Sequence, residues 1–418
     1  MNLKYGKDFV NVNISSNNLL ETLAYKDGSV EPLAELLKKG IVNPIGKPRL
    51  RDLLRKNKPH DLVIIVSDIT RSIANYSKIL NFLVSEIIDT GIDEKNIEFV
   101  VALGTHEKHT EEQNKQLYGN LVSDFRFSFH DCYNNLASLG KTSTGLEVQV
   151  NKRVKDADFV IATGRINFHY MAGFSGGRKA ILPGISSYET IRGNHCKLRR
   201  KGVGVGRIEK NIIPQEMAEA ARLFGLDYIL NVVETPDHET AQIFCGDLES
   251  AFDEGVSYFK SKRSLKISEK ADCIIVSAGG YPYDKNFYLS HKVLNTMIEA
   301  VKIGGSIVLI AQCGEGFGNE KFLNHMLENN PEGLLHYPEE KIEIGGHRAF
   351  VTSKILRDYK IYVLSELDPD VLSKMNFIPI KELNSCIIQI KQHYGQSFKV
   401  YIVPDGRNIM PVLNGGQN

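Results

Sequence analysis

Short apolar runs recur along the chain at Leu62 to Val66, Ile97 to Leu103, Asp158 to Ala162, Cys273 to Val276, Ser306 to Ile310, Ile361 to Leu364 and Val400 to Val403. Their brevity and lack of polar alternation suit strands buried on both faces, as in parallel sheets. Between many of them the apolar positions return at helix spacing, in Ser77 to Ile88, Gln215 to Phe224, Tyr288 to Val301, Lys321 to Glu328, His347 to Ile355 and Ile380 to His393. The alternation predicts an α/β protein whose mainly parallel sheets are flanked by helices. The charged, weakly apolar segment Lys260 to Lys270 precedes a fresh strand, so the expected division is an N-terminal domain over 1–265 and a smaller doubly wound C-terminal domain over 266–403. Residues 404–418 are expected to return to the first domain.

Bulk composition narrows the function. With 418 residues the chain is long enough for two or three domains. Its 51 Lys and Arg against 50 Asp and Glu leave a formal charge of +1, so no global field points to nucleic acid or an anionic membrane as partner. The six cysteines are far apart, with neither a CxxC pair nor zinc-like spacing, which suits reduced thiols in the cytoplasm. No basic-then-apolar leader begins the sequence, and no apolar stretch reaches the roughly 20 residues that span a bilayer. A soluble cytoplasmic protein is expected.

The reactive side chains gather just beyond predicted strands, where open α/β sheets place their ligands. Asp68-Ile69-Thr70-Arg71 follows the Leu62 to Val66 strand, and Arg71 there suits a bidentate grip on a carboxylate; a helix cap by Asp68 and a surface ion pair by Arg71 explain the same residues without a ligand. Gly104-Thr105-His106 ends the next strand, ahead of the capping box Thr110 to Gln113, which places His109 at a solvated helix start with no expected role. The segment Gly164 to His195 holds two histidines, His169 and His195, around a turn, Ser175-Gly176-Gly177, able to present several amides to one anion. It is not a P-loop, since GxxxxGK[ST] is absent. Lys179 beyond the turn fits a phosphate ligand, a solvated lysine or a covalent attachment point. Gly202-Val-Gly-Val-Gly206 reads as a flexible loop and not as a nucleotide fingerprint. In the second domain, Tyr288 and Lys292 lie four apart on a predicted helix and so share a face beside the Gly279-Gly280 turn.

Taken together in order, the motifs resemble those of the nickel-pincer enzymes, the lactate racemase family, over essentially the whole chain. His169, Lys179 and His195 enclose FSGGRKAILPG, DITR and GTH stand upstream, and SAGGYPYDKNFYLSHK resembles the C-terminal signature. The resemblance implies a two-domain fold with the active site in the cleft between the domains. It also implies a nickel(II) pyridinium-3,5-bisthiocarboxylic acid mononucleotide, the nickel-pincer nucleotide, tethered by a thioamide to Lys179. His195 would be the protein's ligand to nickel, consistent with the metal's square-planar preference. Asp68, Ile69, Thr70 and Arg71, together with Ser175, Gly176 and Gly177, would hold the nucleotide.

The implied activity is inversion of carbon 2 of a 2-hydroxy acid by proton-coupled hydride transfer, with His106 and His169 as the two catalytic bases. Arg71, Tyr288, Leu289 and Lys292 would bind the substrate. The implied partners are a small hydroxy acid and the enzymes that make the cofactor; nucleic acid and membrane are not expected, and a homo-oligomer stays open. The chain departs from the lactate enzyme at Leu289, where a glutamine precedes the lysine in that pattern, and in having no tryptophan. His347 or Phe350 is expected to replace the tryptophan that walls the lactate pocket, and His347 with Arg348 would suit a longer, more polar acid. A one-sided hydroxy-acid redox enzyme, a carrier of the nickel nucleotide and a Schiff-base enzyme built on Lys179 remain as rival readings.

Overall fold

The computed structural model describes residues 1–25, 28 and 30–414. The chain divides into two compact units, a larger one over 27–197 and 206–261, and a smaller one over 1–26, 198–205 and 262–418. The expected two α/β domains with mainly parallel sheets are present.

The larger unit is built on a six-stranded sheet in the spatial order Thr240–Gly246, Tyr228–Glu234, Phe159–Ile166, Leu62–Ser67, Ile97–Ala102, Arg126–Phe129. Every neighbouring pair is parallel except the first, which is antiparallel. Leu62 to Val66 are each fully buried, as strands covered on both faces must be. Helix Tyr76–Ile88 contributes Ile79, Leu80, Leu83 and Ile87 to the core on one face. The strand order reverses beside Leu62–Ser67: the chain goes first to Ile97–Ala102 on one side and later to Phe159–Ile166 on the other. Such a reversal opens a crevice at the strands' carboxyl ends.

The smaller unit has an all-parallel six-stranded sheet in the order Ile378–Ile380, Lys360–Leu364, Val301–Ile310, Ala271–Ser277, Val400–Val403, Leu19–Thr22. The first residues, expected in the N-terminal domain, supply its edge strand, with Leu19 opposite Val400. Residues 404–414 also differ from expectation. Met410–Leu413 pairs in parallel with Ser264–Ile267 inside this same unit, while 415–418 lie outside the described residues.

The predicted helix Tyr288 to Val301 is instead a series of short turns, α over Phe287–Ser290, 3-10 over His291–Val293, α over Leu294–Met297 and 3-10 over Ile298–Ala300. Side chains reaching back three residues explain the tightening: Asn295 Nδ2 donates to the Lys292 carbonyl at 3.0 Å and Thr296 Oγ1 to that of Val293 at 3.1 Å. The single continuous α-helix on which Tyr288 and Lys292 were expected to share a face is therefore not formed. The 202–206 stretch is a loop, as expected. The six cysteines are all free thiols, and no described helix is long and apolar enough to cross a membrane.

Candidate active site

Three adjacent strands of the larger unit deliver the candidate residues to their carboxyl ends. Leu62–Ser67 runs into Asp68, Ile97–Ala102 into the loop of His106, and Phe159–Ile166 into the segment of His169 and Lys179. Neighbouring strands lie about 4.8 Å apart, so the topology alone brings these loops together.

Asp68 is the centre of the first cluster. It is fully buried and caps the 3-10 turn Ile69–Arg71 by accepting from Arg71 N at 3.1 Å. Its Oδ1 also accepts from Thr70 Oγ1 at 2.5 Å, and its Oδ2 faces both the Arg71 guanidinium and His106 Nδ1, the latter at 2.8 Å. Burial works to raise this carboxyl, but hydrogen bonding to His106 and the charge of Arg71 outweigh it and hold Asp68 well below the usual carboxylate range. An ionised carboxylate only accepts, so His106 carries a hydrogen on Nδ1, and the neutral form of the ring has its lone pair on Nε2.

His109 has a part that the sequence reading did not give it. It is half-buried; its Nε2 accepts from Ile69 N at 2.9 Å while Nδ1 faces Asn114 Oδ1 at 3.0 Å. It thereby ties the Asp68–Arg71 turn to helix Glu111–Tyr118, whose capping box forms as predicted. The available signal was its place three residues beyond His106, one step before a cap.

The second cluster is built from His169 and Lys179. His169 Nδ1 accepts from Ala172 N at 3.2 Å, and its Nε2 lies 3.3 Å from Lys179 Nζ. With Nδ1 accepting, the neutral ring bears its hydrogen on Nε2 and points it at the lysine amine. Lys179 is 8% exposed, which removes the solvated-lysine reading. Burial, aided by the charges of Arg71 and Arg178, pushes its ammonium well below the ordinary lysine value and so favours the uncharged amine, the form able to accept.

Two of the three amides in the Ser175-Gly176-Gly177 turn, which the sequence suggests as an anion nest, are engaged within the fold. Ser175 N donates to the Asn167 carbonyl and Gly177 N to Asn231 Oδ1, both at 2.9 Å, while Ser175 Oγ donates to the Arg165 carbonyl at 2.7 Å. Those donors are engaged within the fold, and the turn serves to aim Lys179. A Cβ on Gly176 would stand 2.9 Å from Asn231 Oδ1, at a backbone φ of +93°, so glycine is required there. Asn231, on strand Tyr228–Glu234, is a supporting residue the sequence reading missed. Amides of the Asp68–Arg71 turn are similarly occupied at Ile69 and Arg71. His195 ends helix Tyr188–His195 and is 7% exposed; next to it Asn194 Nδ2 donates to Glu216 Oε2 at 2.8 Å and anchors the helix end.

Comparison with known proteins bears on the family of the chain. Residues 5–206 match the lactate racemase N-terminal domain and residues 267–411 the lactate racemase C-terminal domain. The chain is 31% identical to a lactate racemase of Thermoanaerobacterium thermosaccharolyticum, over 98% of each chain. The chain belongs to the lactate racemase family. Membership makes it an enzyme of the isomerase class. A lactate racemase of Lactiplantibacillus plantarum is also 31% identical, over 90% of each chain. The solved lactate racemase apoprotein from T. thermosaccharolyticum superposes with a TM-score of 0.91 at 30% identity, covering 98% of this chain and 99% of that one. A Thermotoga maritima protein shares the fold at a TM-score of 0.63 and 16% identity, over 89% of this chain and 100% of that one.

The smaller unit of this lactate racemase family member holds the remaining expected residues. Tyr288 and Leu289 are half-buried and Lys292 is exposed. The Tyr288 ring packs on Phe322 and lies 4.7 Å beneath the Arg348 guanidinium, whose Nη1 donates to the Tyr288 carbonyl. Neither proposed substitute for the family's tryptophan is an exposed wall. Phe350 is fully buried against His325 and Tyr337, and His347, 7% exposed, accepts from Gly345 N through Nδ1. Arg348 and His347 thus serve packing within this unit, and the expected polar extension of the pocket has no support from them.

Proposed function

We propose that this chain is a racemase or epimerase that inverts carbon 2 of a 2-hydroxy acid, lactate being the first to test, with a nickel-pincer nucleotide tethered at Lys179. The observation carrying this reading is the opposite tautomers of two imidazoles at the carboxyl ends of one sheet's strands. His106 offers a bare Nε2 because Asp68 holds its Nδ1 hydrogen, whereas His169 carries its hydrogen on Nε2 because Ala172 N occupies Nδ1. Inverting a centre calls for a proton acceptor on one side and a donor on the other, and imidazoles exchange those roles near neutral pH.

Lys179 and His195 fit the tether and the metal of the nucleotide. Burial of Lys179 favours the uncharged amine that forming a thioamide tether requires, and imidazole at His195 is a suitable single donor for nickel(II). Among the described residues no group of three or more histidine, cysteine or carboxylate side chains could hold a metal, so a nickel ion at His195 would take its other donors from the nucleotide. When bound, that group supplies a hydride acceptor, which spares carbon 2 from carbanion formation beside a carboxylate. The chain's own residues do the rest. His106 takes the hydroxyl proton of one antipode and His169 returns a proton to the other, the roles reversing with direction. Arg71, braced by Asp68 through Nη1, has its remaining donors for the substrate carboxylate.

The test is intact mass and nickel content of protein co-produced with a cofactor-making pathway, beside Lys179→Ala, followed by chiral chromatography of each antipode. A covalent adduct with nickel, absent in the variant, and racemisation from both sides are expected. His106→Gln with His169→Gln should keep the adduct and lose inversion. An unmodified, nickel-free chain from a competent pathway refutes the tether; oxidation without inversion refutes the racemase, and inversion surviving in the double variant refutes the assigned bases.

A further inference from the structure

Directly before Lys179, Arg178 turns the other way. It is 9% exposed, its guanidinium lies 4.3 Å from the centre of the Phe252 ring, and among the described residues it forms no ion pair or hydrogen bond, with Nη2 buried and unmet. A guanidinium has five donors, and burying it without acceptors is among the costliest arrangements a fold can hold. The turn is nevertheless built to hold it. Gly177 sits at φ +51°, and a Cβ there would come within 3.0 Å of Phe252.

Arg178 lines a cavity of about 270 Å³ between helices Ile212–Phe224 and Ser250–Arg263, within the larger unit alone. Pro214, Ala218 and Leu248 give it an apolar side. Gln215, Glu219, Arg222, Glu249 and Asp253 complete its polar lining. Arg222 is already paired with Glu249, and Glu219 accepts from Ser143 N and Oγ. Asp253 and Glu249 act on Arg178 through space, yet neither reaches ion-pair distance. Two guanidiniums against three carboxylates leave the lining with one net negative charge, which disfavours a dianion such as phosphate. A buried cation facing an exposed carboxylate across a gap calls for a ligand with both an anionic end and a donor.

We propose that this cavity binds a small monocarboxylic acid bearing a hydrogen-bond donor on the adjacent carbon, its carboxylate on Arg178 and its donor on Asp253. Hydroxy acids and amino acids share that chemistry. The site is separate from the His106 and His169 clusters, and it touches Lys179 only through the backbone and through Arg178's charge.

Calorimetric titration of the full-length apo chain with glycolate, glycine, acetate and inorganic phosphate tests it. Saturable binding of glycolate or glycine is expected, stronger than that of acetate, and weakened about tenfold or more in Arg178→Gln. The same binding should persist in Arg71→Ala, which separates it from carboxylate capture at the site already described. Asp253→Asn should erase the advantage over acetate. Ala218→Phe, which fills the cavity from the helix side, should abolish binding if Arg178→Gln fails to fold. Whether glycolate or glycine wins identifies the source of the ligand. Absence of saturable binding, binding indifferent to Arg178→Gln and Ala218→Phe, loss in Arg71→Ala, or phosphate as the best ligand would each overturn the proposal.

Discussion

Replacing Asp68 with asparagine separates orientation from stability. Asparagine keeps the shape and one oxygen, so Thr70 Oγ1 and Arg71 N retain an acceptor. What disappears is the ionised oxygen facing His106 and Arg71. Hydrogen bonds to charged groups contribute roughly 1.5–3 kcal/mol when shielded, but the His106 and Arg71 side chains are 36% and 38% exposed, and solvent screening reduces such pairs to about 0–1 kcal/mol each. The expected stability loss is therefore about 0–2 kcal/mol. The kinetic loss is larger, because an amide presenting its NH2 to Nδ1 moves the ring hydrogen to Nε2 and removes the base, a contribution of roughly 10²–10⁴ in rate or about 3–5 kcal/mol of barrier. Denaturant unfolding measures the first quantity, and initial rates from each pure antipode of the hydroxy acid measure the second. Because a racemisation has an equilibrium constant of one, kcat/KM must fall equally in both directions. The decisive comparison is with His106→Gln: if Asp68 acts through His106, the double variant is no slower than His106→Gln alone. Losses that multiply, or Asp68→Asn retaining more than about a tenth of the activity, would refute the reasoning.

Other substitutions probe the supports. Lys179 sits folded with its proton affinity depressed from about 10.5, so the unfolded chain binds more protons, and apo stability should rise with pH from the depressed value up to about 10.5. Lys179→Met should be more stable at neutral pH and lack that slope; parallel urea midpoints from pH 7 to 10 for the two proteins would contradict the buried neutral amine. His109→Leu strips Ile69 N of its acceptor and should cost about 1–3 kcal/mol, with kcat/KM falling about ten- to a hundredfold as the Asp68 turn shifts; an unchanged rate would show that the turn holds itself. Asn231→Leu should destabilise by a similar 1–3 kcal/mol and lower adduct formation at Lys179, whereas Asn231→Asp, which keeps the acceptor for Gly177 N, should restore loading in intact-mass spectra.

Elements defined by local pattern were readable in the chain itself. The apolar run Leu62 to Val66 could hardly be other than a doubly covered strand, and Thr110 with Gln113 forms the capping box that its spacing announces. The site motifs were readable because each follows such a strand. Features resting on distant partners were not. The Ser175 turn looked like a nest until Asn167 and Asn231 were seen to take two of its amides. Strand Tyr228–Glu234 escaped notice with polar Asn231 at its centre. The broken helix after Tyr288 turned on two side chains reaching back three residues, a competition that amphipathic spacing does not register.

The pairing of Leu19–Thr22 with Val400–Val403 also sets an order of assembly. The ribosome releases the edge strand first, then the whole of the larger unit, and only at the end the strand that receives it. The larger unit can therefore fold during synthesis while residues 1–26 wait. A fragment covering 262–418 alone would leave Val400–Val403 as an open, apolar sheet edge, the kind of surface that recruits other chains. Supplying residues 1–26, joined to that fragment or added as a peptide, should keep it monomeric.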